Sequence, residues 1–188
     1  MNGKIRWITK TAVLLAVLIC LQWAGSFVPG QLIRQLLTGS FVNCVLAVTV
    51  LLVGMGGGIA VALVSPVCAY LLGIAPNLIT VVPIMLANVC YVALLRLLGG
   101  KVRWKQVAAL AVAAAVKFAV LYVLVVHLIC GVAADALLGR KLGDVVVLAP
   151  PMLKILPTMF AWPQLVTAMI GGGIALGILP VLKKALHR

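Results

Sequence analysis

The residue with the clearest chemical potential is Lys117, because it lies near the middle of an apolar run over residues 107–128. An ammonium group at that depth in a bilayer costs about 2.5 to 3.5 kcal/mol on insertion scales. It therefore needs a polar cavity or a partner, and a charge embedded in a membrane is by default a functional site. The alternative is structural: the side chain snorkels to the interface or bonds backbone carbonyls of a neighbouring helix.

Three further polar side chains, Asn43, Asn88 and Gln164, fall within apolar runs of their own. Each alone is more often an interhelical hydrogen bond than a ligand contact, but with Lys117 around one cavity they would form a binding site. Aromatic side chains would stack on a ring or cover an aliphatic chain of a ligand. The remaining candidates for substrate contact are Tyr91, Tyr122, Trp162 and, in a predicted outer turn, Asn77.

Catalytic chemistry is scarce in this sequence. Its two acids, Asp135 and Asp144, are both predicted outside the membrane, so no paired carboxylate is available there for acid–base catalysis or for ion coupling. No Ser-His-Asp or Cys-His arrangement can be assembled, and the five cysteines show no C-x-x-C spacing. We expect a protein that is not an enzyme and that uses no metal or cofactor. Lys117 favours a substrate with an anionic group such as a carboxylate.

Six apolar runs supply the elements that position these residues. Hydrophobic residues make up 65% of the chain and the mean hydropathy is +1.31, whereas roughly half of a soluble protein is apolar. Because a membrane-spanning helix needs about 20 apolar residues, the sequence predicts an all-α membrane protein with six transmembrane helices in one domain, residues 1–188. The runs cover residues 11–24, 41–53, 59–72, 78–98, 107–128 and 159–182.

The basic residues orient these predicted spans. Ten of the fifteen lie on the faces that hold both termini and the loop between helices four and five, and four lie on the opposite faces. The positive-inside rule then places both termini in the cytoplasm. Although the net charge is +13, the basic residues flank membrane spans and form no continuous stripe, so no nucleic-acid partner is expected.

The connections are predicted from glycine, proline and charge. Gly54, Gly56, Gly57 and Gly58 indicate a tight cytoplasmic turn, and residues 28–37 an amphipathic external connection. The longest connection, over residues 129–158 between helices five and six, is predicted outside. A loop of this length in a small protein is usually functional or disordered, and its prolines favour an ordered lid.

Helix one carries Ala12 and Ala16, whose spacing places two small residues on one face and permits a close helix crossing. Together with the six spans and the long outer loop, this resembles the substrate-binding S components of energy-coupling factor (ECF) transporters. The resemblance covers nearly the whole chain. Its other motifs are Val53-Gly54-Met55-Gly56-Gly57-Gly58, Val82-Pro83 with Asn88, Lys117-Phe118 with Tyr122, and Trp162-Pro163-Gln164-Leu165 followed by Gly171-Gly172-Gly173.

The resemblance implies a subunit of the bacterial cytoplasmic membrane that captures a vitamin or related nutrient on the outer side. Such a subunit topples in the lipid and docks through helix one onto a transmembrane T component driven by two cytoplasmic ATPases. Ala12 and Ala16 would then be the docking face. The chain has no phosphate-binding loop of its own, which fits a subunit that takes its energy from partners.

Two other classes of function stay open at this point. A structural membrane subunit of a cell-envelope complex would use the same helices for partner contacts and would bind no solute. A stand-alone facilitator or scramblase would need no ATPase partner.

Overall fold

The computed structural model describes residues 3–75, 77–100, 102–143 and 145–186, and about 84% of the chain is helical. Within these residues, five stretches of helix are long and apolar enough to cross a membrane, as in a multi-pass membrane protein. The prediction of an all-α membrane protein is confirmed to this extent. These stretches are Gly3–Ser26, Gln31–Leu52, Leu78–Leu98, Arg103–Val132 and Met152–Ala185.

In the described part of the chain, eight α-helices and one small hairpin follow one another. The helices are α1 Gly3–Ser26, α2 Gln31–Leu52, α3 Met55–Leu71, α4 Val81–Leu98, α5 Arg103–Leu121, α6 Ala134–Leu137, α7 Met152–Phe160 and α8 Trp162–Leu186. A short 3-10 turn, Leu78–Thr80, precedes α4, and α5 continues as a π-helix over Tyr122–Val132. The hairpin pairs β1 Lys141–Leu142 antiparallel with β2 Val145–Val146.

Helix α3 lies at the third predicted span and is the shortest of the helices found at the six predicted spans. Helix α3 has 17 residues and therefore measures roughly 26 Å, slightly less than the hydrocarbon thickness of about 30 Å. Its apolar composition suits a buried or membrane-embedded helix. The count of six spans and the sides of the termini thus stay predictions.

Helix α2 lies at the centre of the bundle and packs against α1, α3, α4 and α8. Its closest partner is α8, because Gly171 leaves room for the α2 backbone. A Cβ atom at Gly171 would meet the Ser40 carbonyl oxygen and would stand 2.8 Å from the Cys44 backbone nitrogen. The buried core around this crossing includes Leu46, Val50 and Tyr91.

The glycine-rich turn is shorter than predicted. Gly54 alone has the left-handed backbone, with φ 106°, and α3 begins at Met55. Gly56 and Gly57 lie in the first turn of α3, where they allow close contact with Trp7 and Thr11 of α1. The predicted external connection over residues 28–37 is also shorter, because α2 begins at Gln31.

The predicted outer loop over residues 129–158 is mostly folded. The helix of α5 runs on to Val132, and α7 begins at Met152. Leu148, Leu156 and Phe160 are buried against the end of the α5 helix in a second apolar cluster. Apolar burial of this segment explains why it forms structure where the sequence indicated a loop.

Some predictions fall on residues outside the described ranges. These residues are Pro76 in the outer turn, Lys101, Asp144 and Arg188.

Candidate ligand-binding cavity

A cavity of about 500 Å³ lies inside the bundle, and all the long helices together with α7 contribute to its wall. Its volume falls in the range of small-molecule sites, roughly 300 to 1,000 Å³. Seven helices that converge on one space give a wall whose parts are far apart in sequence. The cavity is therefore a property of the fold, not of a local motif.

One stripe of α2 follows the cavity from its mouth to its deep end. The stripe consists of Gln31, Arg34, Gln35, Thr38, Gly39, Val42 and Asn43. This spacing is that of one helix face, and twelve residues of helix span roughly 18 Å. Gln31 and Arg34 are exposed at the mouth, whereas Asn43 is buried.

Lys117 of α5 lies at the deep end and is 3% exposed. Its Nζ donates hydrogen bonds to Asn43 Oδ1 at 2.5 Å and to Asn88 Oδ1 at 2.7 Å. The ring centroid of Tyr91 lies 5.3 Å from the same Nζ, within the range of a cation–π contact. Among the described residues, the Lys117 ammonium thus bonds two side-chain amides and no backbone carbonyl.

The two asparagines differ in whether their Nδ2 groups have hydrogen-bond partners. Asn43 Nδ2 donates to the Gly39 carbonyl at 2.8 Å and to Thr167 Oγ1 at 3.4 Å. Asn88 Nδ2 is buried and has no partner among the described residues. Both N–H donors of Asn43 are therefore used, whereas the Asn88 Nδ2 group donates to no residue of the described ranges.

Two other buried polar atoms on the wall also lack a partner within the described ranges, namely Gln22 Oε1 and Ser65 Oγ. Gln22 is 6% exposed and Ser65 is 1% exposed. A buried polar atom without a hydrogen bond costs about 1 to 3 kcal/mol, so such atoms are rare in folded proteins. All three atoms belong to residues that line the same cavity.

The cavity wall is positively charged. Lys117 and Arg34 both line it, and no Asp or Glu of the described ranges does. Asp135 lies exposed in α6. Within the same ranges no group of three His, Cys, Asp or Glu side chains is placed to hold a metal ion. The charges of the wall favour an anion.

Helix α7 covers one side of the cavity with an apolar face formed by Met152, Ile155, Met159 and Phe160. The Met159 carbonyl oxygen, near the end of this helix, accepts two side-chain hydrogen bonds from the bundle. Gln35 Nε2 of α2 donates to it, and Gln164 Nε2 of α8 donates to it at 3.1 Å. Both glutamines also line the cavity.

The structure brings together four of the residues predicted for substrate contact: Lys117, Asn43, Asn88 and Gln164 all line the cavity. Tyr91 lies behind the wall, buried, with its hydroxyl donating to the Ala168 carbonyl at 3.2 Å.

The other three predicted contacts are not on the wall. Tyr122 and Trp162 are 44% and 53% exposed and do not line this cavity, so their contact with a ligand stays a prediction. Tyr122 follows Leu121, which does line the cavity, and one residue of helix rotation turns it outward. Asn77 lies in the turn before α4, where its carbonyl accepts a bond from Thr80.

Sequence reasoning missed Gln22, Ser65 and Arg34. Gln22 and Ser65 are single polar residues in apolar helices, the same signal that indicated Asn43 and Asn88. Arg34 lies in the segment predicted as an external connection, residues 28–37. That segment is amphipathic, and its sequence did not indicate that α2 begins at Gln31.

The small residues of helix one are accessible. Ala12 and Ala16 are both exposed on α1, while Leu18 and Gln22 of the same helix are buried against the bundle. In the described part of the chain this face of α1 carries no packing partner that would cover either alanine.

The chain matches no family model, no curated protein and no solved structure. Its function is therefore inferred from the cavity, the charges and the accessible face of α1.

Proposed function

We propose that the chain is the substrate-binding S component of an ECF-type importer in a bacterial cytoplasmic membrane. It captures a small anionic nutrient from the outer side and holds it in the cavity between the helices. It then delivers the nutrient by docking onto a transmembrane T component that works with two cytoplasmic ATPases. The observation that carries this proposal is the cavity with Lys117 at its deep end.

The polar wall supports binding over a purely structural role. A subunit that only packs against partners has no need of Lys117, Asn88, Gln22 and Ser65 around an internal space of about 500 Å³. Burial of polar atoms without partners is destabilising, so these atoms are expected to serve a ligand. Anionic ligands would meet Arg34 at the mouth and Lys117 at the deep end.

The proposed topology has six spans, with both termini in the cytoplasm. Helix α1 then runs outward and α2 begins on the outer side. This places Gln31 and Arg34, which form the mouth of the cavity, toward the exterior. A cavity that opens outward suits capture of a nutrient from outside.

Docking is assigned to α1. Ala12 and Ala16 are small, exposed and one helical turn apart, which allows another helix to approach the backbone closely. A lipid-facing surface with such residues suits a partner helix of a T component.

The test is mass spectrometry of small molecules released when the purified protein is denatured. We expect one nutrient-sized anion in near-stoichiometric amount, because a substrate that is bound tightly survives purification. Lys117→Met protein prepared in parallel should release far less. Release of no small molecule from the unaltered protein would favour the structural subunit and contradict the proposal.

A further inference from the structure

We infer that the cavity takes a flexible aliphatic carboxylate that also carries an amide or hydroxyl group, bound with its carboxylate between Lys117 and Asn88. This inference rests on the proposed function and names the class of substrate for the same site. It follows from three parts of the wall: the donors at the deep end, the apolar sides, and the unpaired polar atoms on α1 and α3.

The donors at the deep end are arranged for a carboxylate. The Lys117 ammonium has three N–H donors, and Asn43 and Asn88 accept two of them. Because an ammonium only donates, Asn88 must turn its Oδ1 toward Lys117, which leaves its Nδ2 as a donor with no partner in the described chain. The third ammonium N–H and the Asn88 Nδ2 group are therefore neighbouring donors. A carboxylate offers two acceptor oxygens to such a pair.

The size and the sides of the cavity exclude a bare inorganic anion. About 500 Å³ is far more than a phosphate or sulfate fills, and the sides are formed by Val42, Ile84, Leu121, Met152 and Ile155. Apolar side chains need an apolar body in contact with them. Methionine and branched aliphatic residues adapt to a flexible chain, and Phe160 is the aromatic residue on the described wall. An aliphatic body fits this wall better than an aromatic ring between stacking partners.

The polar atoms on α1 and α3 require a second hydrogen-bonding group. Gln22 Oε1 is an acceptor and Ser65 Oγ both donates and accepts, and neither has a partner in the described chain. A simple fatty acid would leave both atoms unpaired in the occupied cavity, which is costly for buried groups. An amide or hydroxyl in the ligand satisfies them.

The experiment uses four simple probes, of which three are matched to the first in length or in functional group. They are ε-acetamidocaproate, its neutral analogue ε-acetamidocaproamide, nonanoate and para-acetamidobenzoate. Binding of each to the dialysed protein in nanodiscs is measured by calorimetry. We expect ε-acetamidocaproate to bind at least tenfold more tightly than each of the other three.

Each comparison tests one part of the inference. Equal binding of the neutral caproamide would overturn the carboxylate, equal binding of nonanoate would overturn the second polar group, and equal binding of the benzoate would overturn the aliphatic body. If none of the four binds, the ligand class is wrong. The proposed function is judged separately, by whether the denatured protein releases any nutrient-sized molecule.

Variants assign the polar contact. Ser65→Ala and Gln22→Met should each reduce the preference for ε-acetamidocaproate over nonanoate, while the preference for the carboxylate over its neutral amide stays intact. Ser26→Ala is the matched control, because the Ser26 hydroxyl donates to the Trp23 carbonyl at 2.6 Å and lies off the cavity wall. An unchanged preference in both cavity variants would remove Gln22 and Ser65 from the site.

Discussion

Lys117 Nζ donates a 2.5 Å hydrogen bond to Asn43 Oδ1, which joins α5 to α2 at a point where both side chains are buried. The bond orders the ammonium without neutralising it, because an amide carries no net charge. A buried cation held only by neutral groups keeps its attraction for an anion. The Lys117–Asn43 pair thus leaves the positive charge of Lys117 for an anionic ligand, whereas a carboxylate partner would have neutralised it.

Replacement of Lys117 by Met tests this directly. Lys117→Met roughly keeps the side-chain length and removes the charge, so an anionic ligand loses its partner in a place shielded from water. Loss of one partner of such a pair costs roughly 3 to 5 kcal/mol, which corresponds to about two to four orders of magnitude in Kd. Calorimetry with the compound released from the unaltered protein measures the loss, and thermal unfolding should show that the protein is still folded.

The matched control for this variant is Lys105→Met, which makes the same change at an exposed lysine near the start of α5. Its Kd should equal that of the unaltered protein. A Lys117→Met protein that binds as tightly as the control would assign Lys117 a structural role and would end the case for an acidic substrate.

A negative charge at Asn88 should be more damaging than a simple truncation. In Asn88→Asp the new carboxylate would lie next to Lys117 and pair with it, since the amide oxygen already stands 2.7 Å from Nζ. The new carboxylate then competes with the ligand for Lys117 and repels the negative charge of the ligand. We expect binding of the anionic ligand to weaken by more than about a hundredfold, or roughly 2.7 kcal/mol, with thermal stability retained.

Asn77→Asp provides the same substitution off the cavity wall and should leave the affinity unchanged. Tight binding by Asn88→Asp would show that the ligand's charge does not lie at the deep end.

The deep end of the cavity was predictable from sequence because a charge or an amide inside an apolar run is costly. That rule indicated Lys117, Asn43 and Asn88 before any packing was known. It could not distinguish Ser65, because a hydroxyl in an apolar helix usually bonds the carbonyl four residues earlier, as Thr49 does to Val45. Whether the Ser65 hydroxyl makes such a bond depends on how its helix packs.

Helix α7 was not predictable for a different reason. Pro157 lies within it, and Pro150 and Pro151 precede it, so the local sequence is typical of a loop. The helix forms because its apolar face is buried against α5 and over the cavity, and such tertiary contacts outweigh a weak local propensity. As a result, α7 forms an apolar side of the cavity within the segment that was predicted to be an external loop, residues 129–158.

The close crossing of α2 and α8 positions Asn43 and should depend on Gly171. A methyl group at Gly171 would stand 2.8 Å from Asn43 Cβ and 2.8 Å from the Cys44 backbone nitrogen, and it would also meet the Ser40 carbonyl. Two of these three contacts are with backbone atoms, so the helices must separate. Overpacking of this kind costs about 1 to 3 kcal/mol, and we expect Gly171→Ala to lower both the Tm and the ligand affinity.

Gly173→Ala is the control on the same helix, because nothing lies within 4 Å of a Cβ atom there. Alanine is the better helix former, so this variant should be as stable as the unaltered protein or slightly more stable. Equal Tm values for the two variants would mean that α2 and α8 do not approach each other this closely.

The accessible face of α1 gives the test of partner docking. If a T component packs against Ala12 and Ala16, bulky side chains there should hold the two helices apart and remove the close contact that drives association in lipid. The double variant Ala12→Trp, Ala16→Trp should therefore lose nutrient uptake and co-purification with the T component in cells that express the whole importer. Ligand binding by the isolated protein should be unchanged, because both alanines are exposed and neither lines the cavity.

The control is the double variant Ala111→Trp, Ala115→Trp, which adds the same bulk at the same spacing on an exposed face of α5 and should transport normally. Normal uptake by the α1 variant would rule out docking through this face, and loss of uptake by both variants would point to general damage from bulk at the lipid-facing surface.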